Sequence, residues 1–263
     1  MTSDPEAATM TFWEHLAELR ARIIKMLIGY ALGVGAAWAY REPLLEWLTR
    51  PFVEAWRAGQ VPGSVSLHFA APAALFTAYL KIALLGGVVF ALPLILYQAW
   101  MFVSPGLYSR EKRYAVPFVA ASCLLFASGG YFGWRVAFPI AFQYLLGFAG
   151  PVGSGAFQVM PTVMVGDYLE FVLQMLVAFG VTFELPVVVF FLTVAGLVDH
   201  THLLRYWRHF VVSAFIVGAI LSPPDVASQC LLSVPLCILY GLSIGIAYVF
   251  RTRRPAKKPD LAG

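Results

Sequence analysis

Long apolar runs separated by short charged segments dominate the pattern along the chain. A helix needs about 20 apolar residues to cross the hydrocarbon core of a bilayer. Six runs are apolar enough to predict membrane spans, although the fifth is short. The predicted spans cover residues 23–40, 78–103, 115–134, 168–198, 210–221 and 226–250.

The fourth run is too long for an upright crossing. Its 31 residues, 168–198, would extend roughly 46 Å as a helix, whereas the hydrocarbon core is about 30 Å thick. We therefore expect this span to tilt or to bend, and Pro186 supplies a place for the bend.

The same run carries one ionisable residue, Glu184, within "FGVTFELPVVVFFL". Carboxylates inside a membrane are costly and usually face a cavity or a partner. At 100° per residue, Asp167, Glu170, Gln174 and Glu184 fall within an arc of roughly 100° on one helix face. From the residues alone, Glu184 has three open interpretations: a binding role, a hydrogen-bonded structural role within the bundle, or a proton-carrying role.

The composition supports a membrane protein. Of the 263 residues, 60% are hydrophobic and 12% charged, and the mean hydropathy is +0.77. Soluble domains have about 45–50% apolar and about 25% charged residues. We therefore predict one polytopic membrane domain over residues 1–263, with disordered tails at 1–10 and 252–263. The first residues lack the cationic start of a cleavable signal, so we expect the first span to stay as an anchor.

The distribution of basic residues predicts the orientation. With the N-terminus inside, 13 of the 18 Lys and Arg residues fall on cytoplasmic segments. This asymmetry places both termini in the cytoplasm. The two sizeable outer loops are then residues 41–77, which can form short helices, and residues 137–166, which contain a Gly/Pro-rich turn.

Several kinds of chemistry have no support in the sequence. Gly153 to Gly155 is only a GxG in a loop, without the lysine and helix of a phosphate site. The three cysteines lie in apolar runs and are interpreted as packing residues. In "DHTHLLRYWRH", the residues His200, His202 and His209 make a metal conceivable, but Asp199 or Thr201 capping a helix explains the pattern more simply. We expect no enzyme, no cofactor, no metal and no nucleic-acid partner.

Two further polar sites lie on predicted cytoplasmic segments. In the N-terminal segment, Glu14, Glu18 and Arg22 form a stripe beside an apolar face, typical of an interfacial amphipathic helix. A simpler interpretation is an i,i+4 ion pair between Glu18 and Arg22, which contributes only tenths of a kcal/mol. Glu111 precedes the third span, where it either binds a ligand or complements the helix N-terminus.

Four separated motifs, in this order and with six spans, resemble the TatC family of the twin-arginine protein translocase. They are "FWEHLAELRARI", "LPLILYQAWMFVSPGLYSREKR", "VAFGVTFELPVVVFFL" and "LSPPDVASQ". The resemblance covers roughly residues 12–250. It implies a cupped bundle of six transmembrane helices whose last two spans are short. It also implies location in a bacterial cytoplasmic (inner) membrane.

The resemblance implies a receptor that binds twin-arginine signal peptides. Such a receptor nucleates a complex with single-span TatA- and TatB-type partners, and folded proteins then cross the membrane at the expense of the protonmotive force. Self-association and contact with the lipid bilayer are further expectations. The loop "DHTHLLRYWRH" is less basic than is common in the family, which leaves its role open.

Individual residues match the family's functional positions. The resemblance implies a signal-peptide site, docking positions for partners within the membrane, and a structural proline in the first outer loop. The signal-peptide residues would be Glu18, Glu111, Phe102, Arg20 and Arg113; the docking residues Glu184, Gln229 and Asp225; and the loop proline Pro51.

Two other classes of protein compete with this interpretation. A proton-coupled secondary transporter would use Glu184 to bind a proton or substrate, and usually shows an internal repeat, of which the sequence gives no sign. A passive scaffold would use its polar residues only to hold the bundle, so that Glu18, Glu111 and Glu184 would be replaceable by Gln with little loss beyond stability.

Overall fold

The computed structural model describes residues 12–59, 61–103, 115–152, 157–194, 196–222 and 225–250. Within these ranges the chain is almost entirely helical. The helices are α1 (Phe12–Ala39), α2 (Arg41–Ala58), α3 (Pro72–Val103), α4 (Ala115–Phe132), α5 (Phe138–Leu146), α6 (Val165–Phe183), α7 (Leu185–Val194), α8 (His200–Leu221) and α9 (Val226–Val249). A π-helical turn, Gly133–Ala137, joins α4 to α5. The strands β1 (Gly150–Val152) and β2 (Phe157–Val159) pair antiparallel, with Pro151 opposite Gln158.

Six helical segments in the described ranges are long and apolar enough to cross a membrane, which confirms the predicted number of spans. They are Trp13–Ala39, Pro72–Phe102, Val116–Leu146, Val165–Val194, His200–Leu221 and Val226–Val249. The last two contain 22 and 24 residues, against 27 to 31 in the other four. The expectation that spans five and six are short is therefore also confirmed.

Three predicted boundaries were wrong by ten residues or more. The first span begins at Trp13 rather than at residue 23, because the N-terminal amphipathic segment is continuous with it in α1. The third span continues past residue 134 through the π-helical turn to Leu146, so that the first ten residues of the predicted loop 137–166 are helical. Pro139 does not end it because proline is tolerated in the first turn of a helix, and Pro139 lies in the first turn of α5. The fifth span begins at His200 rather than at residue 210. Asp199 caps it there by accepting a 2.7 Å hydrogen bond from the His200 backbone N–H.

The fourth span is interrupted between α6 and α7, as its length and Pro186 predicted. Pro186 has no N–H to donate to the carbonyl of Thr182 four residues earlier, so the helical ladder cannot continue unchanged. The break falls at Glu184, whose backbone carbonyl accepts hydrogen bonds of 3.0 Å from both Val187 and Val188. An ionisable residue therefore stands at the junction of two helical segments.

The chain divides into two compact units: one comprises Met1–Leu45 and Tyr79–Cys123, the other Glu46–Ala78 and Leu124–Gly263. The single polytopic domain stays a prediction. In the first unit, α1 and α3 cross with their backbones close together. A Cβ atom added to Gly33 would lie 2.7 Å from the carbonyl oxygen of Gly87, and one added to Gly87 would lie 2.4 Å from Cγ2 of Val34. Small residues permit this approach, which is typical of helix packing in membranes.

In the second unit, an aromatic cluster joins α2, α5 and α6. Phe52 of α2 lies 5.6 Å from Phe142 and 5.3 Å from Tyr168, measured between ring centroids. Phe138 packs against Phe142 at 6.0 Å and is fully buried. The aromatic cluster therefore ties the helix that follows the first span to the third and fourth spans.

Pro51 lies inside α2, directly before Phe52 of this cluster, and is buried. Proline at this position removes the N–H that would bond the carbonyl of Trp47, and its ring crowds the preceding turn. Side chains from distant parts of the chain bond the carbonyls there. Trp134 Nε1 donates to Trp47 O at 3.0 Å, and the Tyr168 hydroxyl donates to Leu48 O at 2.8 Å. The structural role inferred for Pro51 has a physical basis in these two bonds.

Helices α8 and α9 pack closely through small and polar residues. Ser233 Oγ donates to Ala214 O at 3.1 Å, and Gln229 Nε2 donates to Phe215 O at 2.9 Å. A Cβ atom on Gly218 would lie 2.4 Å from Ser233 Oγ, so a larger residue at that crossing would displace the Ser233 hydroxyl. Such hydrogen bonds between helices contribute about 0.6–2 kcal/mol each in a membrane.

Candidate functional site

Five side chains from α1 and α3 form one polar and aromatic cluster in the first unit, which we call the Glu18 cluster. It consists of His15, Glu18 and Arg22 of α1 and Gln98 and Phe102 of α3. Arg22 donates from Nε and Nη2 to the same carboxylate oxygen, Glu18 Oε1, with the Nε bond at 3.0 Å. Arg22 Nη1 donates to Gln98 Oε1 at 3.3 Å. The His15 ring stacks on Phe102 at 4.4 Å between centroids and 18° between planes.

Helical spacing explains why these residues meet. On α1, residues 15, 18 and 22 are separated by three and four positions, which places them on one face. On α3, residues 98 and 102 are four positions apart and also share a face. The cluster therefore has two layers, one formed by His15 and Phe102 and the other by Glu18, Arg22 and Gln98.

The carboxylate of Glu18 is only partly satisfied. The Glu18 and Arg22 side chains are 20% and 14% exposed, and Gln98 is 7% exposed. Both N–H groups of Arg22 that reach Glu18 bond Oε1, while Oε2 is buried and has no hydrogen-bond partner among the described residues. A carboxylate can accept about four hydrogen bonds, so Glu18 retains acceptor capacity.

The structure places some of the predicted signal-peptide residues together. Glu18 and Phe102 belong to the same cluster, and Arg20 lies on the exposed side of α1. Glu111 and Arg113 lie outside the described residues. The i,i+4 pair between Glu18 and Arg22 is confirmed.

Sequence reasoning missed two members of the cluster, His15 and Gln98. Gln98 is a single amide within an otherwise apolar stretch of α3, "LPLILYQAWMF". A polar residue inside a predicted span is the signal that could have identified it, because such residues generally pair within the bundle.

Glu184 occupies a different setting, between α6 and α7 in the second unit. Its backbone N–H donates to Val181 O at 3.1 Å, and its Oε1 atom is buried. On the uninterrupted helix α6, the side chains of Asp167, Glu170 and Gln174 are exposed. The polar stripe predicted from spacing therefore runs along the surface of α6 and ends at the interruption.

Asp225 and Gln229, the other two predicted docking residues, make bonds within the chain. Asp225 Oδ1 caps α9 by accepting from Ser228 N at 2.7 Å, whereas its Oδ2 is buried without a hydrogen-bond partner in the described ranges. Gln229 bonds a carbonyl of α8 through its amide. The corner between α8 and α9 is thus held by the same residues that the sequence assigned to docking.

Neither the histidines nor the cysteines form a metal site in the part of the chain that the structure describes, where no group of three or more His, Cys, Asp or Glu side chains could hold an ion. His200 Nδ1 is 2.6 Å from Asp199 Oδ1, and its ring packs edge-on against Tyr248 at 5.3 Å. The three cysteines are free thiols. The local pattern in "DHTHLLRYWRH" is accounted for by the cap of α8.

These features define a multi-pass, all-α membrane protein whose first and second spans carry a shared charged and aromatic cluster. Residues 14–235 match the model of the family described as Sec-independent protein translocase protein (TatC). The chain belongs to the TatC family, which serves protein transport and is not a family of enzymes.

Individual relatives agree with the family match. The chain is 40% identical over 251 residues to the Sec-independent protein translocase protein TatC of Desulforapulum autotrophicum, covering 95% of this chain and 89% of that relative. It is 35% identical over 252 residues to the protein of the same name from Koribacter versatilis, covering 95% and 90%. A crystal structure of the twin-arginine translocase receptor TatC superimposes with a TM-score of 0.77 at 36% identity, covering 90% of this chain and 99% of that one.

Proposed function

We propose that this protein is the signal receptor of a twin-arginine translocase in a bacterial cytoplasmic membrane. It binds twin-arginine signal peptides on the cytoplasmic side, where both termini lie. It then nucleates a complex with TatA- and TatB-type single-span proteins that exports folded cargo by means of the protonmotive force. Membership of a protein translocase family supports the role, and the Glu18 cluster supports the recognition step.

The bonding of Glu18 is the observation that carries the proposal. A guanidinium is planar, always charged and able to bond a carboxylate through two parallel N–H groups, which lysine cannot do. Glu18 already accepts two N–H groups from one guanidinium, that of Arg22, and its buried Oε2 has no partner among the described residues. The position therefore suits recognition of arginine.

The remaining predicted residues complete the receptor site. Phe102 stacks with His15 one layer from Glu18 and offers an apolar surface for the hydrophobic part of a signal peptide. The family resemblance assigns Glu111 as the second carboxylate and Arg20 and Arg113 as basic residues of the same site. Two carboxylates are what two adjacent arginines require.

We assign Glu184, Gln229 and Asp225 to docking of the single-span partners. A carboxyl group at an interruption between two helical segments can hydrogen-bond a polar group on a passing helix. Such a bond contributes about 0.6–2 kcal/mol, which is enough for a contact that forms and breaks during transport. Pro51 acts indirectly, through the shape of α2.

The test is binding of a labelled twin-arginine signal peptide to the full chain in nanodiscs. The same peptide with two lysines is the comparison, and Glu18→Gln and Glu111→Gln are the variants. Glu54→Gln, which removes an exposed carboxylate of α2, is the matched control. We expect a preference for arginine that both site variants abolish and the control retains.

Equal binding of both peptides, unchanged in the Glu18 and Glu111 variants, would show that these carboxylates are structural. The passive-scaffold interpretation would then be preferred. The thermal unfolding midpoint of each variant separates a lost binding site from a lost fold.

A further inference from the structure

We propose that Arg22 is an internal ligand of the receptor site, which an arginine of the signal peptide must displace from Glu18. This inference rests on the proposed function, and it adds a residue that sets the strength of binding. In the peptide-free protein, the Arg22 guanidinium is paired with the Glu18 carboxylate. A signal peptide therefore does not meet an unpaired anion. Recognition is then an exchange of one guanidinium for another.

The geometry of the internal pair favours exchange. Arg22 reaches Glu18 from the next turn of the same helix, and both of its N–H groups bond a single oxygen, Oε1. The strongest arrangement between these groups uses two parallel bonds, one to each carboxylate oxygen. Because Oε2 is left without a partner among the described residues, an arginine on a separate chain can bond Glu18 better than Arg22 does.

The terminal torsion of a glutamate side chain is broad, so a released Glu18 can turn both oxygens towards an incoming guanidinium. Displacement is also limited in cost, because Arg22 keeps its hydrogen bond to Gln98 and Glu18 exchanges one guanidinium for another, so neither group is left without a partner. A peptide arginine can therefore form a stronger bond with Glu18 than the Arg22–Glu18 bond that it replaces.

Gln98 gives the displaced arginine a place to remain. Its Oε1 already accepts a hydrogen bond from Arg22 Nη1, and this bond does not involve Glu18. Arg22 can keep it while the other two donors are released. The guanidinium then stays close to the site as an uncompensated positive charge, which opposes the positively charged peptide. Both effects, competition and repulsion, make Arg22 reduce the affinity for the peptide.

The test is a double-mutant cycle on peptide affinity, with the full chain in nanodiscs and the twin-arginine peptide as probe. The proteins are the unmodified chain, Arg22→Gln, Glu18→Gln and the double variant. We expect Arg22→Gln to tighten binding about two- to fivefold, the range given by an ion pair of this kind. In the Glu18→Gln background the same change should have a smaller effect, because no pair remains to be broken and only the repulsion by Arg22 is removed.

Two additional measurements keep the test decisive. Arg22→Lys keeps the charge but loses the fork of donors, so we expect an affinity between those of the unmodified chain and Arg22→Gln, even if the neutral variant folds poorly. A twin-lysine peptide must also release Arg22 to reach Glu18. Its affinity should therefore rise by a similar factor in Arg22→Gln, leaving the preference for arginine intact.

The failures of the two proposals are distinguishable. If Glu18→Gln leaves peptide binding unchanged, the receptor site itself is wrong. If Glu18→Gln weakens binding but Arg22→Gln weakens it too, Arg22 positions the carboxylate and the exchange is overturned. An unchanged affinity in well-folded Arg22→Gln would also overturn the exchange while leaving the receptor site in place.

Discussion

The indole nitrogen of Trp134 donates a 3.0 Å hydrogen bond to the carbonyl oxygen of Trp47, 87 residues earlier in the chain. This carbonyl is the one that Pro51 leaves without its helical donor. The two tryptophan rings are also stacked, with centroids 4.9 Å apart and planes 8° apart. The side chain thus replaces a backbone bond and adds an aromatic contact at the same point.

The first prediction tests whether the Trp134 N–H replaces the backbone N–H that Pro51 lacks. Trp134→Phe keeps an aromatic ring but removes the N–H, and we expect it to lower the free energy of unfolding by about 1–2 kcal/mol. In a Pro51→Ala background, the new backbone N–H can bond Trp47 O, so Trp134→Phe should cost clearly less. Denaturant titration in detergent measures both changes. Equal costs in the two backgrounds would mean that the hydrogen bond contributes nothing beyond ring packing.

The second prediction concerns two adjacent glycines on α4. A Cβ atom on Gly129 would lie 2.4 Å from the carbonyl oxygen of Phe179, whereas one on Gly130 would meet only Leu176 Cδ2, at 3.9 Å. We expect Gly129→Ala to destabilise the protein by about 1–3 kcal/mol through overpacking, and Gly130→Ala to be neutral or slightly stabilising because alanine favours helix. Thermal unfolding distinguishes them. Similar midpoints for both variants would contradict the close crossing of α4 and α6.

The third prediction concerns Glu184 and partner docking. Glu184→Leu removes every hydrogen bond of the side chain, and we expect it to weaken co-purification of a TatA- or TatB-type partner by about three- to thirtyfold. Glu184→Gln, which retains hydrogen-bonding groups, should lose less. Glu170→Gln, on the exposed surface of α6, is the control.

A different result at Glu184 would support the proton-coupled alternative. If Glu184→Gln abolished transport while partner binding stayed normal, the proton on the carboxyl group rather than its hydrogen bond would be required. The docking role would then be abandoned.

The fourth prediction separates the two capping residues that the sequence offered for α8. Asp199 Oδ1 accepts the His200 N–H, whereas the Thr201 hydroxyl donates to Asp199 Oδ2 at 3.4 Å. We expect Asp199→Ala to cost about 0.5–2 kcal/mol of unfolding free energy and Thr201→Ala much less. Denaturant midpoints of the two variants check this, and the reverse order would identify Thr201 as the cap.

Much of the fold follows from local sequence. Six apolar runs predict six spans, and Pro186 predicts the interruption of the fourth, because both depend only on residues close together in the chain. The start of the fifth span was missed because the polar residues from His200 onward do not resemble a membrane segment, yet Asp199 caps a helix there. The continuation to Leu146 is hard to predict because Arg135, a charged residue, directly follows the apolar run, and charged residues are rare inside spans.

Only the part of the candidate site that lies within one helix could be predicted from the sequence. Glu18 and Arg22 pair through helical spacing, which the sequence shows directly. The contacts of Arg22 with Gln98 and of His15 with Phe102 join residues about 80 positions apart, and they depend on how α1 and α3 pack. Periodicity shows which residues share one face of a helix. It does not show which residue of another helix packs against that face.

The bonds around Pro51 have a consequence for the order in which the protein is made. Ribosomes synthesise α2 before the residues that complete it, because Trp134 and Tyr168 follow the bonded carbonyls by 87 and 120 residues. Until Trp134 emerges, the carbonyl of Trp47, which has no helical donor because of Pro51, must be bonded by water or by lipid headgroups. Helix α2 is thus among the first segments to be translated, but its bonds to Trp134 and Tyr168 form only after the residues of the third and fourth spans that supply them have been synthesised.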